Sequence, residues 1–369
     1  MKKFIALLLA VMMALTVVAV ASAEEEMRVA MITDYGDITD QSFNQTTYEA
    51  AKAWCEANGI DFTYYKPAGD STAERVAMVE KADDEGYNVI VMPGYAFGET
   101  IAEVQGEYEG IKFVALDVSE GDLGGVAVGP NVYCAVYQEE LCGYMAGYAA
   151  VKLGYEKLGY LGGMAVPAVV RYGFGYVQGA NAAAVEMEKA DKVTIEYVYG
   201  NQFFGDADIT AYMDNWYQNL GVQVVFACGG GIYSSAAEAA TKVAGTKVIG
   251  VDVDQAAQID GAYGTEGLVV TSAMKGLAAT VNTLLTEIKA GNFANYGGKV
   301  ETLGLVGNDP EANYVQIAPS TQFAEGFTAE DYAALVAKMF AGEITVDNNS
   351  NPDIKPETAI VVNYNANIK

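Results

Sequence analysis

Side chains suited to recognising small polar molecules gather in a few loop-like stretches of this chain. DYGDITDQSFNQ, residues 34–45, offers Asp34, Asp40, Phe43 and Asn44. PGYAFGE (93–99) adds Tyr95, DVSEGD (117–122) adds Asp117, and GNQFFGDAD (200–208) adds Phe203 and Phe204. Gly230 lies in CGGGIYS (228–234), Asp252 in DVDQ (252–255), and Lys275 closes TSAMK. Aromatic rings stack on flat ligands, an amide offers both donor and acceptor, and carboxylates accept hydroxyl or N–H protons. Bond-breaking chemistry has little to work with, because the 369 residues include no histidine, the commonest general base and metal ligand. Cys55, Cys134, Cys142 and Cys228 are scattered among apolar neighbours with no CxxC pair. That spacing argues for buried thiols over a zinc site or a disulfide framework, with Cys134 and Cys142 the one pair close in sequence. A binding site without metal or cofactor is expected, and not an enzyme.

For these loops to meet, they must share one edge of the fold. Apolar runs at residues 28–33, 61–65, 88–92 and 112–117 alternate with helical patterns at 42–58, 71–85 and 99–108. Such alternation points to right-handed βαβ units around a parallel sheet covered on both faces. In the first helix, Phe43, Thr47, Ala50, Ala51, Trp54 and Cys55 share a face. A second series follows Gly129-Pro130-Asn131, with helices at 137–153, 172–187, 209–219 and 233–244 and strands at 158–161, 192–199, 222–227 and 247–253. Strands at 268–272 and 299–305, around a helix at 277–290, are more than a second lobe needs. The chain is therefore expected to cross back to the first lobe and return.

The fold class is α/β, with two doubly wound parallel-sheet lobes joined by three hinge crossovers. The expected N-terminal lobe is 27–132 plus 273–300, and the C-terminal lobe 133–272 plus 301–369. Ligands bind such sheets outside the carboxyl ends of the strands, where the loops named above fall. A helix at 329–340 and a strand at 358–363 read as an ordered appendage.

Several of these residues have a plain structural reading beside the functional one. Ser42-Phe43-Asn44-Gln45 fits a capping box, with Ser42 on the Gln45 amide and the Gln45 side chain returning. Phe43 and Asn44 then stand on the first turn at the cleft edge, open between core packing and ligand contact. Asp40 also reads as a helix N-cap or loop carboxylate, and Tyr95 and Asp117 divide between cleft and hinge or packing roles. Gly229-Gly230-Gly231 matches neither a dinucleotide fingerprint nor a phosphate loop. Among so many aspartates, its backbone suits a neutral sugar better than a phosphate.

Residues 1–23 carry two lysines, an apolar run over 4–20 and Ala21-Ser22-Ala23, the layout of a cleavable secretory signal. Its loss leaves a soluble extracytoplasmic protein of two-domain size. The net charge of −27 repels phosphate backbones and anionic lipid heads, so nucleic acid is not an expected partner.

VAMITDYGDITDQSFNQTTYEAAK resembles the opening of the basic membrane protein family of ABC-transporter substrate-binding proteins, including its purine-nucleoside receptors. The likeness runs through VIVMPGYAFGETI, YLGGMAVPAVVRYGFGYVQGA, VVFACGGGIYSSAAEAA, VIGVDVDQ and VVTSAMKG, over about residues 27–305. It implies a type I periplasmic-binding-protein fold, a monomer that closes on a nucleoside and delivers it to a membrane permease. A flavin, a sugar or a free base is the alternative ligand. The resemblance also implies a base held between Phe43 and Phe204, with Phe203 one register away, and ribose hydroxyls held by Asp252 and Lys275. Asp34, Asp40 and Asn44 would read the base edge. Many members carry a lipidated cysteine after the signal, whereas this sequence has none before Cys55. Tyr35, Ile38, Tyr95 and the long tail after Leu305 also depart from the family pattern.

Overall fold

Continuous apolar runs become the inner strands of two sheets. In the computed structural model, which describes residues 26–369, the first unit contains β1 (Arg28–Ile32), α1 (Phe43–Asn58), β2 (Asp61–Tyr65), α2 (Thr72–Asp84), β3 (Val89–Pro93), α3 (Phe97–Val104), β4 (Lys112–Leu116) and β5 (Val132–Tyr137). The chain continues through α4 (Glu139–Lys152), β6 (Lys157–Gly162), α5 (Pro167–Glu186), β7 (Thr194–Tyr199), α6 (Ala207–Asn215), β8 (Val224–Cys228), α7 (Tyr233–Thr241), β9 (Lys247–Asp252), α8 (Ala256–Tyr263) and β10 (Val269–Lys275). It ends with α9 (Leu277–Lys289), β11 (Lys299–Leu303), β12 (Val315–Ile317), α10 (Ala329–Phe340) and β13 (Val361–Tyr364). The expected signal at 1–23 lies outside the described residues.

The first sheet has the order β11-β5-β4-β3-β1-β2, and its strands run parallel. The second has the order β12-β10-β9-β8-β6-β7-β13, parallel except for β12. Every residue of β3 and β8 is buried, as expected for strands covered by helices on both faces. These are the two α/β lobes of a type I periplasmic-binding-protein fold.

Three crossings join the lobes, after β5, after β10 and after β11. The sheets place them a few residues from the sequence ranges. β5 pairs with β4 and β11, so residues up to Tyr137 belong to the first sheet, and so does β11 up to Leu303. β10 stays in the second sheet to Lys275, which pairs with Val315 of β12. The crossings are laced together by backbone bonds: Gln138 N–H to the Leu303 carbonyl (2.9 Å), Tyr314 N–H to Gly304 (3.0 Å) and Gly276 N–H to Tyr314 (2.7 Å). These bonds gather the three crossings into one hinge.

α4 and α5 pack unusually close. A Cβ on Gly175 would stand 2.0 Å from the Glu140 carbonyl oxygen, and one on Gly143 2.2 Å from that of Tyr172. Only glycine fits there, and the approach brings the first turns of both helices together behind the hinge. Pro167 opens α5 five residues before the expected start, as its fixed φ and missing N–H allow at a first helical position. α8 was not expected: AAQIDGAY is short, and a glycine and small residues blur its apolar face. The appendage is ordered, with β13 beside β7 and Lys369 paired to Asp206 at 2.5 Å. All four cysteines are buried and free. Among the described residues no helix is long and apolar enough to cross a membrane.

Candidate functional site

A cavity of about 650 Å³ opens between the lobes at the carboxyl ends of the strands. Asp34, Asp40, Phe43, Asn44, Tyr95, Asp117, Phe204, Gly230, Asp252 and Lys275 all line it. The strand ends need unusual backbone to aim these groups inward. Asp117 after β4 and Asp252 at the end of β9 have φ of 59° and 66°, a left-handed region costly for residues other than glycine. Gly94, after β3, has φ 125°, and a Cβ there would stand 2.7 Å from Asp34 Oδ2.

At the hinge end, Lys275 Nζ lies 2.6 Å from Asp117 Oδ2, 3.6 Å from Asp252 Oδ1 and 3.6 Å from Glu139 Oε1. The same ammonium stands 4.5 Å from the centroid of the Phe43 ring, and Tyr137 and Tyr172 flank it. Burial works against this charge, but Asp117, Asp252 and Glu139 outweigh it and hold the ammonium protonated well above its ordinary range. Burial pushes the Asp117 carboxyl up, and Lys275 only partly pulls it back. Asp117 Oδ1 is buried without a hydrogen-bond partner, so it is available to a hydroxyl or N–H.

At the first-lobe wall, Asp34 accepts the Gly36 N–H at 2.7 Å and is pushed up to about 6 by burial. Asn44 is buried in the cavity wall with its Oδ1 unpartnered, an acceptor available to a ligand. Asp40 is a cap: its oxygens take the N–H groups of Ser42 (2.9 Å), Asn44 (3.0 Å) and Gln45 (3.1 Å).

That cap corrects the expected capping box. Ser42 makes no side-chain cap bond, and Gln45 Oε1 accepts from the Gln41 N–H at 2.9 Å. A charged acceptor at a helix N-terminus outcompetes a hydroxyl. Ser42 is thereby released to donate across the cleft to Asp252 Oδ2. Gln255 Nε2 also bonds across the lobes, to the Gln41 carbonyl at 2.9 Å, as Lys275 does to Asp117.

The two phenylalanines of the 200–208 loop differ in setting. Phe203 packs on Gly163 and Gly229 and stacks on Tyr35 from the other lobe, with centroids 5.8 Å apart and planes 20° apart. Phe204 is 61% exposed at the cavity rim. The close approach that Gly230 permits here is to Phe203, since an added Cβ would stand 2.8 Å from the Phe203 carbonyl oxygen.

Other cavity residues escaped the sequence reading. Met164 and Val166, in the loop after β6, and Pro167, Ala168 and Val169, in the first turn of α5, line it. Their place at a strand's carboxyl end was the available signal, but apolar side chains do not stand out as a site. Tyr172 shows no pattern beyond a helical one.

Comparison with known proteins bears on this cleft. The model of the Bmp family, described as "ABC transporter substrate-binding protein PnrA-like", matches residues 27–324. The chain is 26% identical over 297 residues to an ABC transporter nucleoside-binding protein, BmpA, of Lactococcus lactis, covering 76% of this chain and 79% of that one. It is 26% identical over 290 residues to basic membrane protein B of Borreliella burgdorferi, covering 78% and 80%. Among solved structures, an ABC transporter solute-binding protein from Aeropyrum pernix superposes with a TM-score of 0.70 at 21% identity, covering 89% of this chain and 95% of that one. One from Conexibacter woesei gives 0.66 at 24% identity, covering 87% and 99%.

Proposed function

The chain belongs to the Bmp family of PnrA-like ABC transporter substrate-binding proteins, and from that premise we propose that it captures a purine nucleoside outside the cytoplasmic membrane and delivers it to a permease. One arrangement supports this most: the Phe43 ring, the Lys275 ammonium and the carboxylates Asp117 and Asp252 meet at one end of the cavity. A flat base and a polyol need different partners placed a few ångströms apart. The ring takes the base by stacking, worth about 1 kcal/mol beyond area burial. The carboxylates accept sugar hydroxyl protons, with the ammonium holding them apart and donating to the sugar oxygens. Charge-assisted hydrogen bonds of this kind are roughly twice as strong as neutral ones.

Phe204, the exposed ring of its pair, closes on the base from the other lobe, while Phe203 stays on its glycine bed. Asn44 Oδ1 and Asp34 meet the base edge. With one plate on each lobe, closure and binding are the same event, and the hinge strands confine it to lobe rotation. The working unit is a monomer, released by removal of residues 1–23.

The ultraviolet spectrum of ligand extracted from the purified protein tests the ligand class. Purine absorption is expected; flavin absorption in the visible, or a sugar without absorption, would replace the nucleoside. Release of free base from inosine on incubation would replace the receptor with a hydrolase.

A further inference from the structure

Glu139 and Arg171 line no part of the cavity, yet Glu139 stands next to its ammonium and Arg171 next to Glu139. Glu139 is the first residue of α4, at the crossing after β5, and is fully buried. Its Oε2 accepts from Arg171 Nε at 2.7 Å, and its Oε1 lies 3.6 Å from Lys275 Nζ. Arg171 comes from the first turns of α5, brought within reach by the close packing of the two helices around Gly143 and Gly175.

Lys275 is a point charge on a flexible four-carbon stem, and such a group takes its position from its surroundings. Asp117 belongs to the first lobe and Asp252 to the second, so these two carboxylates separate when the lobes open. Glu139 lies at the hinge and contacts the ammonium from behind the cavity. It is the carboxylate best placed to hold Lys275 steady whether the lobes are open or closed. A lone carboxylate buried there would be strongly disfavoured, and Arg171 neutralises it.

We infer that Glu139, oriented by Arg171, is a positioning residue that fixes Lys275 for the sugar hydroxyls and so sets the preference for a ribonucleoside over a deoxyribonucleoside, an inference that rests on the nucleoside function proposed above. Without Glu139 the ammonium is drawn onto Asp117, at 2.6 Å already its shortest contact, and away from Asp252. Binding of the base is unaffected by that shift; binding of a sugar diol is not.

The test is titration calorimetry with inosine and 2′-deoxyinosine on the wild-type chain and on Glu139→Gln. Wild-type protein is expected to favour inosine by tenfold or more, and Glu139→Gln to lower that ratio by at least threefold, chiefly through inosine. A general folding defect would weaken both ligands alike. Arg171→Lys, which keeps a cation beside Glu139, is expected to retain most of the ratio. Should Glu139→Gln fail to fold, Glu139→Gln with Arg171→Gln removes both charges together and carries the same measurement. An unchanged ratio in either Glu139 variant overturns the inference alone. A wild-type chain that binds neither nucleoside overturns the proposed function and this inference with it.

Discussion

The Ser42 hydroxyl, at the start of α1 in the first lobe, donates to Asp252 Oδ2 at the end of β9 in the second. With the Gln255 bond to the Gln41 carbonyl, it ties the lobes together through protein groups alone. A hydrogen bond to a charged group contributes about 1.5–3 kcal/mol. Ser42→Ala should therefore bias the unliganded protein toward an open form. Small-angle scattering is expected to show a larger radius of gyration without ligand and the wild-type value with it. Identical unliganded profiles would mean that the bond does not hold the lobes.

Phe203 and Phe204 are adjacent in sequence but not equivalent. Phe203→Ala removes a ring packed on Gly163, Gly229 and Tyr35, so it should cost about 2–4 kcal/mol of stability, read from urea unfolding. Phe204→Ala removes a ring 61% exposed, so stability should change by less than about 0.5 kcal/mol while ligand affinity falls about tenfold or more. The reverse pattern would make Phe203 the plate.

The α4–α5 contact admits no side chain at Gly175. Gly175→Ala would drive a methyl to 2.0 Å from the Glu140 carbonyl oxygen and force the helices apart. A loss of about 1–3 kcal/mol in unfolding free energy is expected. Weaker ligand binding should accompany it, because Glu139 and Arg171 move with these helices. Wild-type stability in this variant would show that the contact yields without strain.

Asp34 is expected to make the stability depend on pH. Burial raises its folded pKa to about 6 from 3.8, so the folded state holds the proton more tightly than the unfolded chain. The stabilisation is fully present below about pH 4 and is lost as pH rises through 6. Asp34→Asn should therefore be more stable than wild type at pH 7, by about 3 kcal/mol at most, with the difference vanishing below pH 4. Urea unfolding at pH 4, 5, 6 and 7 measures this. A difference constant across that range would contradict the assignment.

Much of the fold was legible because its strands are uninterrupted apolar runs and its loops carry aspartate and glycine. Two lobes and three crossings followed from counting strands beyond what one sheet needs. Spacing allowed both Ser42 and Asp40 as caps of this helix, but it does not reveal which wins, and the Asp40 carboxylate takes three N–H groups and leaves Ser42 without a capping role. Long-range partners were illegible for a similar reason. Glu139 and Arg171 lie 32 residues apart and meet only because glycines on two helices allow the approach. Spacing predicts faces of one helix, not which faces will touch.

The cleft is proposed to hold a nucleoside through its base and its sugar together. Titration calorimetry of ligand-stripped protein with inosine, guanosine, adenosine and ribose decides this. At least one purine nucleoside should bind with a Kd well below that of ribose, and Phe43→Ala should weaken it by tens-fold, the loss of about 2 kcal/mol of stacking and burial. Binding of ribose with no nucleoside binding, or a nucleoside affinity untouched by Phe43→Ala, would contradict it.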